Sequence, residues 1–215
     1  DLALINQIAT LYQKSGNFTK ALEYFEKRAN MDSTNKETWY TLGVNCWARS
    51  YHGGVAVSQE EREKVVDKGI NALDKALAMK EELGDRRGEA VVLGNIALVH
   101  HSRGDHGTSL EFQRRALEIH EDVGDRAGGA RQLGNMANNY KELGERDKAF
   151  EFELRALAID EEIGDHKSMA TCLGGLGNLY SDRGEIDRAV ECHERSLKIR
   201  EELGDRHAVA ESLGN

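Results

Sequence analysis

A Gly-Asp pair recurs along the chain with a fixed period of 40 residues. It stands at Gly84-Asp85, Gly124-Asp125, Gly164-Asp165 and Gly204-Asp205. A Leu-Gly pair follows the same period, at Leu93-Gly94, Leu133-Gly134, Leu173-Gly174 and Leu213-Gly214. Residues 130–169 and 170–209 are identical at 17 of 40 positions. Such a short repeat cannot bury an apolar face alone, so the chain is expected to fold by stacking similar units.

Each unit is predicted to contain two helices. Segment 145–163 places its apolar residues at the 3.6-residue spacing of one buried face, with Ala149, Phe150, Phe152, Ala156, Leu157 and Ile159. Gly144 and Gly164 stand where helix C-termini favour a positive φ, and Asp165 can cap the helix that follows. No sustained alternation of period two is present, so the fold class is predicted to be all-α.

The first two units resemble the tetratricopeptide repeat. The family positions are occupied by Tyr12, Gly16, Ala21 and Phe25, and then by Trp39, Leu42-Gly43, Gly69, Leu73 and Ala76. This resemblance implies a right-handed superhelical solenoid of stacked antiparallel helix pairs. The later 40-residue units are similar to those of Pins/LGN-type cell-polarity adaptors, kinesin light chains and bacterial tetratricopeptide sensor proteins, and they do not distinguish among these.

The whole chain is expected to form a single array over residues 1–215. The expected units are 1–35, 36–84 with an insertion near 51–66, 90–129, 130–169, 170–209 and a truncated sixth unit at 210–215. The insertion is interpreted as a short loop that begins at Tyr51 and leads into an extended second helix. No capping helix follows the last repeat, so the chain is interpreted as a fragment of a longer array. Its open end offers a possible surface for homo-oligomers.

Composition narrows the classes of partner. The chain carries 29 Lys and Arg against 38 Asp and Glu, a net charge of −9, which argues against nucleic acid as a partner. No apolar run reaches the roughly 18 residues of a membrane span. Cys46, Cys172 and Cys192 form no C-x-x-C pair, so a reducing, cytoplasmic location is expected.

The family resemblance implies that partners lie along the first helix of each unit. The residues expected on that face are Asn95, Leu98, His101, Arg131, Asn135, Asn138, Lys141, Thr171, Asn178, Ser181 and Asp182. Asparagine is a poor helix former, and its amide offers both donors and an acceptor. A row of amides could therefore pair with the backbone of an extended segment. The alternative is that these asparagines tie neighbouring first helices together or simply face water.

The second unit offers a different surface. Tyr40 and Trp47 are expected to point inward beside the structural Trp39, and both residue types are common anchors of protein interfaces. The alternative is that the insertion folds back over them. A carboxylate clamp of the kind found in some members of the family is not expected, because its lysine position is glycine in the long units, at Gly94, Gly134 and Gly174.

No arrangement of residues typical of catalysis stands out. His120-Glu121 and His193-Glu194 begin like a zinc-protease motif, but the fifth residue is not histidine in either case. Cys172 and Cys192 fit buried packing better than nucleophilic use. We therefore expect no enzyme, no metal and no cofactor. The main hypothesis is a protein-interaction scaffold that binds a peptide or protein segment. The alternatives are a sensing module of a larger signalling protein and a self-assembling scaffold.

Overall fold

The computed structural model describes residues 1–52 and 58–204, and this part of the chain contains ten α-helices and no strand. The helices are α1 (Leu2–Lys14), α2 (Phe18–Met31), α3 (Lys36–His52), α4 (Gln59–Glu82), α5 (Arg86–Ser102), α6 (His106–Asp122), α7 (Arg126–Glu142), α8 (Arg146–Ile163), α9 (His166–Asp182) and α10 (Ile186–Glu202). The predicted all-α fold class is confirmed.

The chain divides into two compact parts, each larger than one repeat, and the division falls inside α6. We call Asp1–Phe112 unit 1 and Gln113–Asn215 unit 2. In unit 1, consecutive helices from α1 to α5 pack on one another, and α3 also contacts α5. In unit 2, α7 packs on α8, α8 on α9, and α9 on α10. Each unit is therefore built from helix pairs that stack on their neighbours, as the repeat predicted.

Glycine and aspartate set the helix ends at the predicted places. Gly144 and Gly164 have φ angles of 76° and 72°, in the left-handed region that glycine adopts without strain. Asp165 is the N-cap of α9, and its side chain accepts a hydrogen bond from the backbone N–H of Ser168. Asp125 caps α7 in the same way through Gly128. The repeated Gly-Asp pair thus ends one helix pair and begins the next.

The core of unit 2 lies between its stacked helices. A buried cluster contains Leu133, Ala156, Leu157, Cys172, Leu173 and Leu176. The small residues Ala137, Ala149 and Ala189 are buried as well, which fits the close helix packing expected of them. In unit 1, Trp39 is buried and its indole N–H donates to the carbonyl of Ser33 at 2.9 Å, in agreement with its structural assignment.

The helix bounds refine the expected units. The helix pairs begin at Arg86, Arg126 and His166, ahead of the unit limits expected at residues 90, 130 and 170. Tyr51 and His52, which were expected to begin the loop, belong to α3 instead. Residues 53–57 and the expected sixth unit at 210–215 lie outside the described residues. Helix α4 is the second helix of the pair that begins with α3. It has 24 residues and is therefore extended, as predicted.

None of the helices in the described residues combines the length and apolarity needed to cross a membrane.

Candidate functional site

A cavity of about 230 Å³ lies between α7, α8 and α9 in unit 2. We call it the Glu153 cavity. It is lined by Ala127, Ala130, Arg131, Gly134, Asn135, Asn138, Glu153, Asp160, Asp165, Ser168, Thr171 and Cys172. Arg131, Asn135 and Asn138 come from α7 and Thr171 comes from α9, so the structure brings together four residues of the predicted face. Lys141 and Asn178 lie on the same two helices but do not line this cavity.

The asparagines of α7 are of two kinds. The side-chain amides of Asn135 and Asn138, and of Asn178 one repeat later, make no hydrogen bond within the described residues. Asn138 and Asn178 are exposed. Asn139 is buried instead, and its amide nitrogen donates to the side-chain oxygen of Gln113 at 3.0 Å. Asn139 therefore serves packing, whereas the other three amides are available to a partner.

Two carboxylates from α8 form the acidic part of the Glu153 cavity. Glu153 and Asp160 are only 8% and 2% exposed, and they stand about two helical turns apart on the same face. The Oε2 atom of Glu153 is buried and has no hydrogen-bond partner within the described residues. Burial raises the pKa of Glu153 to about 7, and burial also raises the pKa of Asp160. Both carboxyls are thus desolvated without an internal cation bonded to them.

Gly175 makes room for the Glu153 carboxylate. A Cβ atom at position 175 would lie 2.4 Å from Oε1 of Glu153, closer than atoms can pack. The equivalent position is occupied by Asn95 and Asn135 in the two preceding repeats. A side chain at position 175 would therefore require the Glu153 carboxylate to move from its place in the cavity.

Cys172 belongs to the acidic cluster and not to a nucleophilic site. Its thiol donates to the Oδ2 atom of Asp160 at 3.5 Å. Burial, followed by the nearby charges of Glu153 and Asp160, raises the pKa of the Cys172 thiol far above its usual range. The thiolate needed for attack is therefore disfavoured.

The corresponding part of unit 1 holds a second cavity of about 290 Å³, which we call the Lys80 cavity. It is lined by Glu37, Tyr40, Lys80, Asp85, Arg87, Gly88, Val91 and Val92. The buried Lys80 ammonium lies 2.9 Å from Oδ2 of Asp85 and 3.0 Å from Oε1 of Glu37. The acidic groups of this cavity are thus neutralised from within the chain.

The predicted site residues of unit 1 are partly engaged with one another. Tyr40 lines the Lys80 cavity, and its hydroxyl accepts a hydrogen bond from the amide nitrogen of Asn95 at 3.0 Å. The same nitrogen also donates to the carbonyl of Val91 at 3.0 Å. Asn95 therefore ties α5 to α3, which is the alternative that the sequence left open for asparagines at these positions.

Trp47 and His101 do not line the Lys80 cavity. Both side chains are half-buried, and the His101 ring packs edge-on against His106 with the ring centroids 5.2 Å apart. Their role in binding a partner remains a prediction.

Sequence reasoning missed Glu153 and Asp160. A signal for Asp160 was available in the sequence, because the equivalent position in the other repeats is held by Lys80, His120 and Arg200. Three bases and one acid at equivalent positions mark the repeat formed by α7 and α8 as different. Within the described residues, no three His, Cys, Asp or Glu side chains are grouped so as to hold a metal ion.

Comparison with solved structures shows the same fold in several proteins. BtubC (BKLC) from P. vanneervenii matches 94% of this chain and 82% of its own, with 22% identity and a TM-score of 0.71. Aspartyl phosphate phosphatase F from Bacillus subtilis matches 98% of this chain with 14% identity and a TM-score of 0.85. A Rap protein complexed with competence and sporulation factor matches 98% with 17% identity and a TM-score of 0.74. The matches span 53% and 57% of these last two proteins. At such identities the likeness concerns the fold.

No curated protein sequence matches the chain. Sequence profiles of the tetratricopeptide repeat match residues 48–122, 88–162 and 130–202, and a further profile of the same description matches residues 3–37. These matches cover most of the chain and agree with the helix pairs of both units. The chain belongs to the tetratricopeptide-repeat family.

Proposed function

We propose that the chain is a non-catalytic scaffold that binds a protein or peptide segment along the face of α7 and α9 in unit 2. The Glu153 cavity carries the proposal, because it lies between these two helices and is lined by Arg131, Asn135 and Asn138. Amides without internal partners can exchange hydrogen bonds with the backbone of an extended segment. The proposed surface also includes Asn178 on α9 and Lys141 on α7, both of which are exposed.

Two further observations support a protein or peptide as the partner. In the tetratricopeptide family the first helices commonly hold an extended or helical segment, and α7 and α9 are the first helices of their pairs. A structural neighbour of the same fold was solved in complex with competence and sporulation factor. All three cysteines are free, which fits action in a reducing, cytoplasmic environment.

Unit 1 contributes a weaker part of the proposal. Tyr40 and Trp47 offer aromatic area, and His101 adds a half-buried ring. The amide nitrogen of Asn95 is already engaged by Tyr40 and Val91, so it has less to offer a partner. The decisive experiment therefore concerns unit 2.

A pull-down from native lysate, measured by mass spectrometry, tests the proposal. We expect wild type to retain a protein that the Asn135→Ala/Asn138→Ala/Asn178→Ala variant loses, at equal helicity by circular dichroism. Asn30→Ala is the matched control, since Asn30 is exposed on the second helix α2 and should not matter. Equal retention by wild type and the triple variant would contradict a site on α7 and α9.

A second candidate is a sensing module in which a bound segment changes the arrangement of the helix pairs. It is favoured by the likeness to a Rap protein complexed with competence and sporulation factor, over 98% of this chain. A sensor should change its dimensions when the segment binds, and small-angle scattering with and without the retained partner measures this. Unchanged dimensions would leave the scaffold as the better description.

A further inference from the structure

The linker between α8 and α9 differs from the others in the charge that faces its capping aspartate. Lys80 contacts Asp85 at 2.9 Å, and the ring of His120 lies 2.9 Å from the carboxylate of Asp125. At the equivalent place, the end of α8 carries Asp160, which faces Asp165 with a charge of the same sign. A position that supplies a base in these two linkers, charged in Lys80 and held mainly neutral in His120 by burial, which lowers its pKa, therefore supplies another acid here.

Glu153 lacks the partner that its equivalent has one repeat earlier. Gln113 occupies that position and accepts a hydrogen bond from Asn139 at 3.0 Å. One repeat later, the position of the donor Asn139 is held by Leu179, which has no polar side-chain atom. The Oε2 atom of Glu153 is consequently buried without a donor inside a cavity that Glu153 lines. Leaving a buried carboxylate oxygen without a donor is costly, so the arrangement calls for a donor from outside.

We propose that the Glu153 cavity takes the guanidinium group of an arginine side chain from the bound segment, with Glu153 and Asp160 as its acceptors. This inference rests on the proposed function of unit 2, because it assigns one side chain of the segment that lies on α7 and α9. Three carboxylates line the cavity, from Glu153, Asp160 and Asp165, against the single guanidinium of Arg131. Arg131 is exposed and does not neutralise the buried pair.

The size and chemistry of the cavity favour one arginine side chain. A volume of about 230 Å³ is below the roughly 300–1,000 Å³ of pockets that enclose a drug-sized ligand. Guanidinium presents five donors in a planar fork that suits two carboxylates, and it is more weakly hydrated than the ammonium of lysine. A metal ion is less suitable, since within the described residues no three side chains of metal-binding type are grouped to hold one.

The groups around Glu153 give the proposal a pH dependence. Lys141 and Arg131 on α7, Asp160 on α8, Asp165 before α9 and Cys172 on α9 face this region, and Lys141 is exposed with no hydrogen bond to Glu153. The pKa of Glu153 is raised to about 7 in the free protein. A cation binds the ionised form better, so affinity should rise about tenfold between pH 6 and pH 8.

The experiment uses a random twelve-residue peptide library displayed on phage and selected on the whole chain. Wild type, a Glu153→Gln/Asp160→Asn variant and the triple asparagine variant of the preceding section are compared at equal helicity. We expect wild type to enrich peptides that share an arginine. Replacing that arginine by neutral citrulline should weaken binding by about 30-fold or more. The carboxylate variant should lose as much, and combining the two changes should cost little further.

Each outcome decides between the inference and the function on which it rests. Peptides that bind wild type and are lost by the asparagine variant, but tolerate citrulline, would overturn the arginine assignment and leave the scaffold intact. Peptides that tolerate the asparagine variant, or no enriched peptide at all, would overturn both. Titration calorimetry with Zn²⁺ and Mg²⁺ covers the remaining source of positive charge. Tight metal binding that the carboxylate variant loses would assign the cavity to a metal and overturn the arginine.

Discussion

The Lys80 cavity of unit 1 and the Glu153 cavity of unit 2 occupy equivalent places in the repeat. Asp85, Val91 and Val92 of the first correspond to Asp165, Thr171 and Cys172 of the second. The decisive exchange is Lys80 for Asp160. One cavity carries its own cation, bonded to two carboxylates, while the other carries two buried carboxylates and no bonded cation.

The two cavities therefore differ in whether their buried charges stabilise the fold or remain available to a ligand. An internal ion pair satisfies its groups and holds α4, α3 and the α5 cap together, at the cost of leaving little unmet polarity for a ligand. Buried groups without partners lower stability, and a ligand that supplies the missing charge recovers the difference. The following variants test whether the two cavities differ in this sense.

The largest effect is expected from Glu153→Gln. The folded pKa of about 7 exceeds the ordinary value of 4.5, so the unfolded chain ionises first as the pH rises. Wild-type stability attributable to Glu153 is therefore full below about pH 4.5 and is lost as the pH rises to 7. Removing the carboxylate should raise the free energy of unfolding by about 3 kcal/mol at pH 8 and by nearly nothing at pH 4.5. Urea unfolding followed by circular dichroism at both pH values measures this difference.

A gain that is equal at both pH values would contradict the desolvated carboxylate. Glu151→Gln on the same helix is the matched control, since Glu151 is exposed and lies outside the cavity lining. This control should change the free energy of unfolding by less than about 0.5 kcal/mol at either pH.

The helix framework was predictable because each of its signals is local and recurs. Gly144 and Gly164 end helices with positive φ, and Asp165 caps the next helix, in agreement with the repeat pattern. The same register placed Arg131, Asn135 and Asn138 on one face, where the structure finds them around one cavity. A helix period suffices for such assignments.

The acidic cluster and the Tyr40–Asn95 contact were not predictable in the same way. The position of Glu153 is held by Leu73, Gln113 and His193 in other repeats, so the sequence alone suggests that this position accepts any residue. Only the structure shows that Gly175 leaves room for the carboxylate of Glu153. Tyr40 and Asn95 stand 55 residues apart and belong to different repeats. Such contacts depend on how helix pairs stack, which a period within one repeat does not specify.

Lys80→Met should have the opposite sign in the other cavity. It removes the ammonium that bonds to both Glu37 and Asp85, although Asp85 keeps its ion pair with Lys36 at 2.9 Å, and should lower the free energy of unfolding by about 2 kcal/mol. This loss of stability is smaller than that expected for a fully buried ion pair, because the carboxylates of Glu37 and Asp85 are partly exposed. Lys64→Met is the control on the same helix, since Lys64 and Glu60 are 71% and 77% exposed and should contribute less than about 0.5 kcal/mol. If thermal unfolding shows the same loss of stability for Lys80→Met and Lys64→Met, the ion pairs of Lys80 stabilise the fold no more than a surface pair does. This result would contradict the proposed difference between the two cavities.

Asp160→Asn tests the exchanged position itself. Burial raises the pKa of Asp160 and the charge of Asp165 adds to the rise, so the carboxylate destabilises the folded state once the pH exceeds its ordinary value of 3.8. The asparagine oxygen can still accept from the Cys172 thiol. We expect the free energy of unfolding to rise at pH 7 and to change little below pH 3.8, measured by urea unfolding at both pH values. Glu151→Gln serves as control, because Glu151 is exposed on the same helix and lies outside the cavity lining. A loss of stability would show that Asp160 has an internal role that the charge comparison overlooks.

The smallest effect is expected from Asn138→Ala, in the lining of the Glu153 cavity. The neighbouring Asn139 lies outside that lining and is buried, so it serves as the contrasting position. Asn138 is exposed without an internal hydrogen bond, so Asn138→Ala should raise the free energy of unfolding by about 0.5 kcal/mol through helix propensity alone. Asn139→Ala should instead lower it by about 1–3 kcal/mol, because it removes the donor to Gln113 and leaves a buried gap. Calorimetric melting of both variants measures the pair. A gain in stability from removing an amide that binding requires would mark Asn138 as kept for a partner, whereas a loss comparable to that of Asn139→Ala would assign both asparagines to the fold.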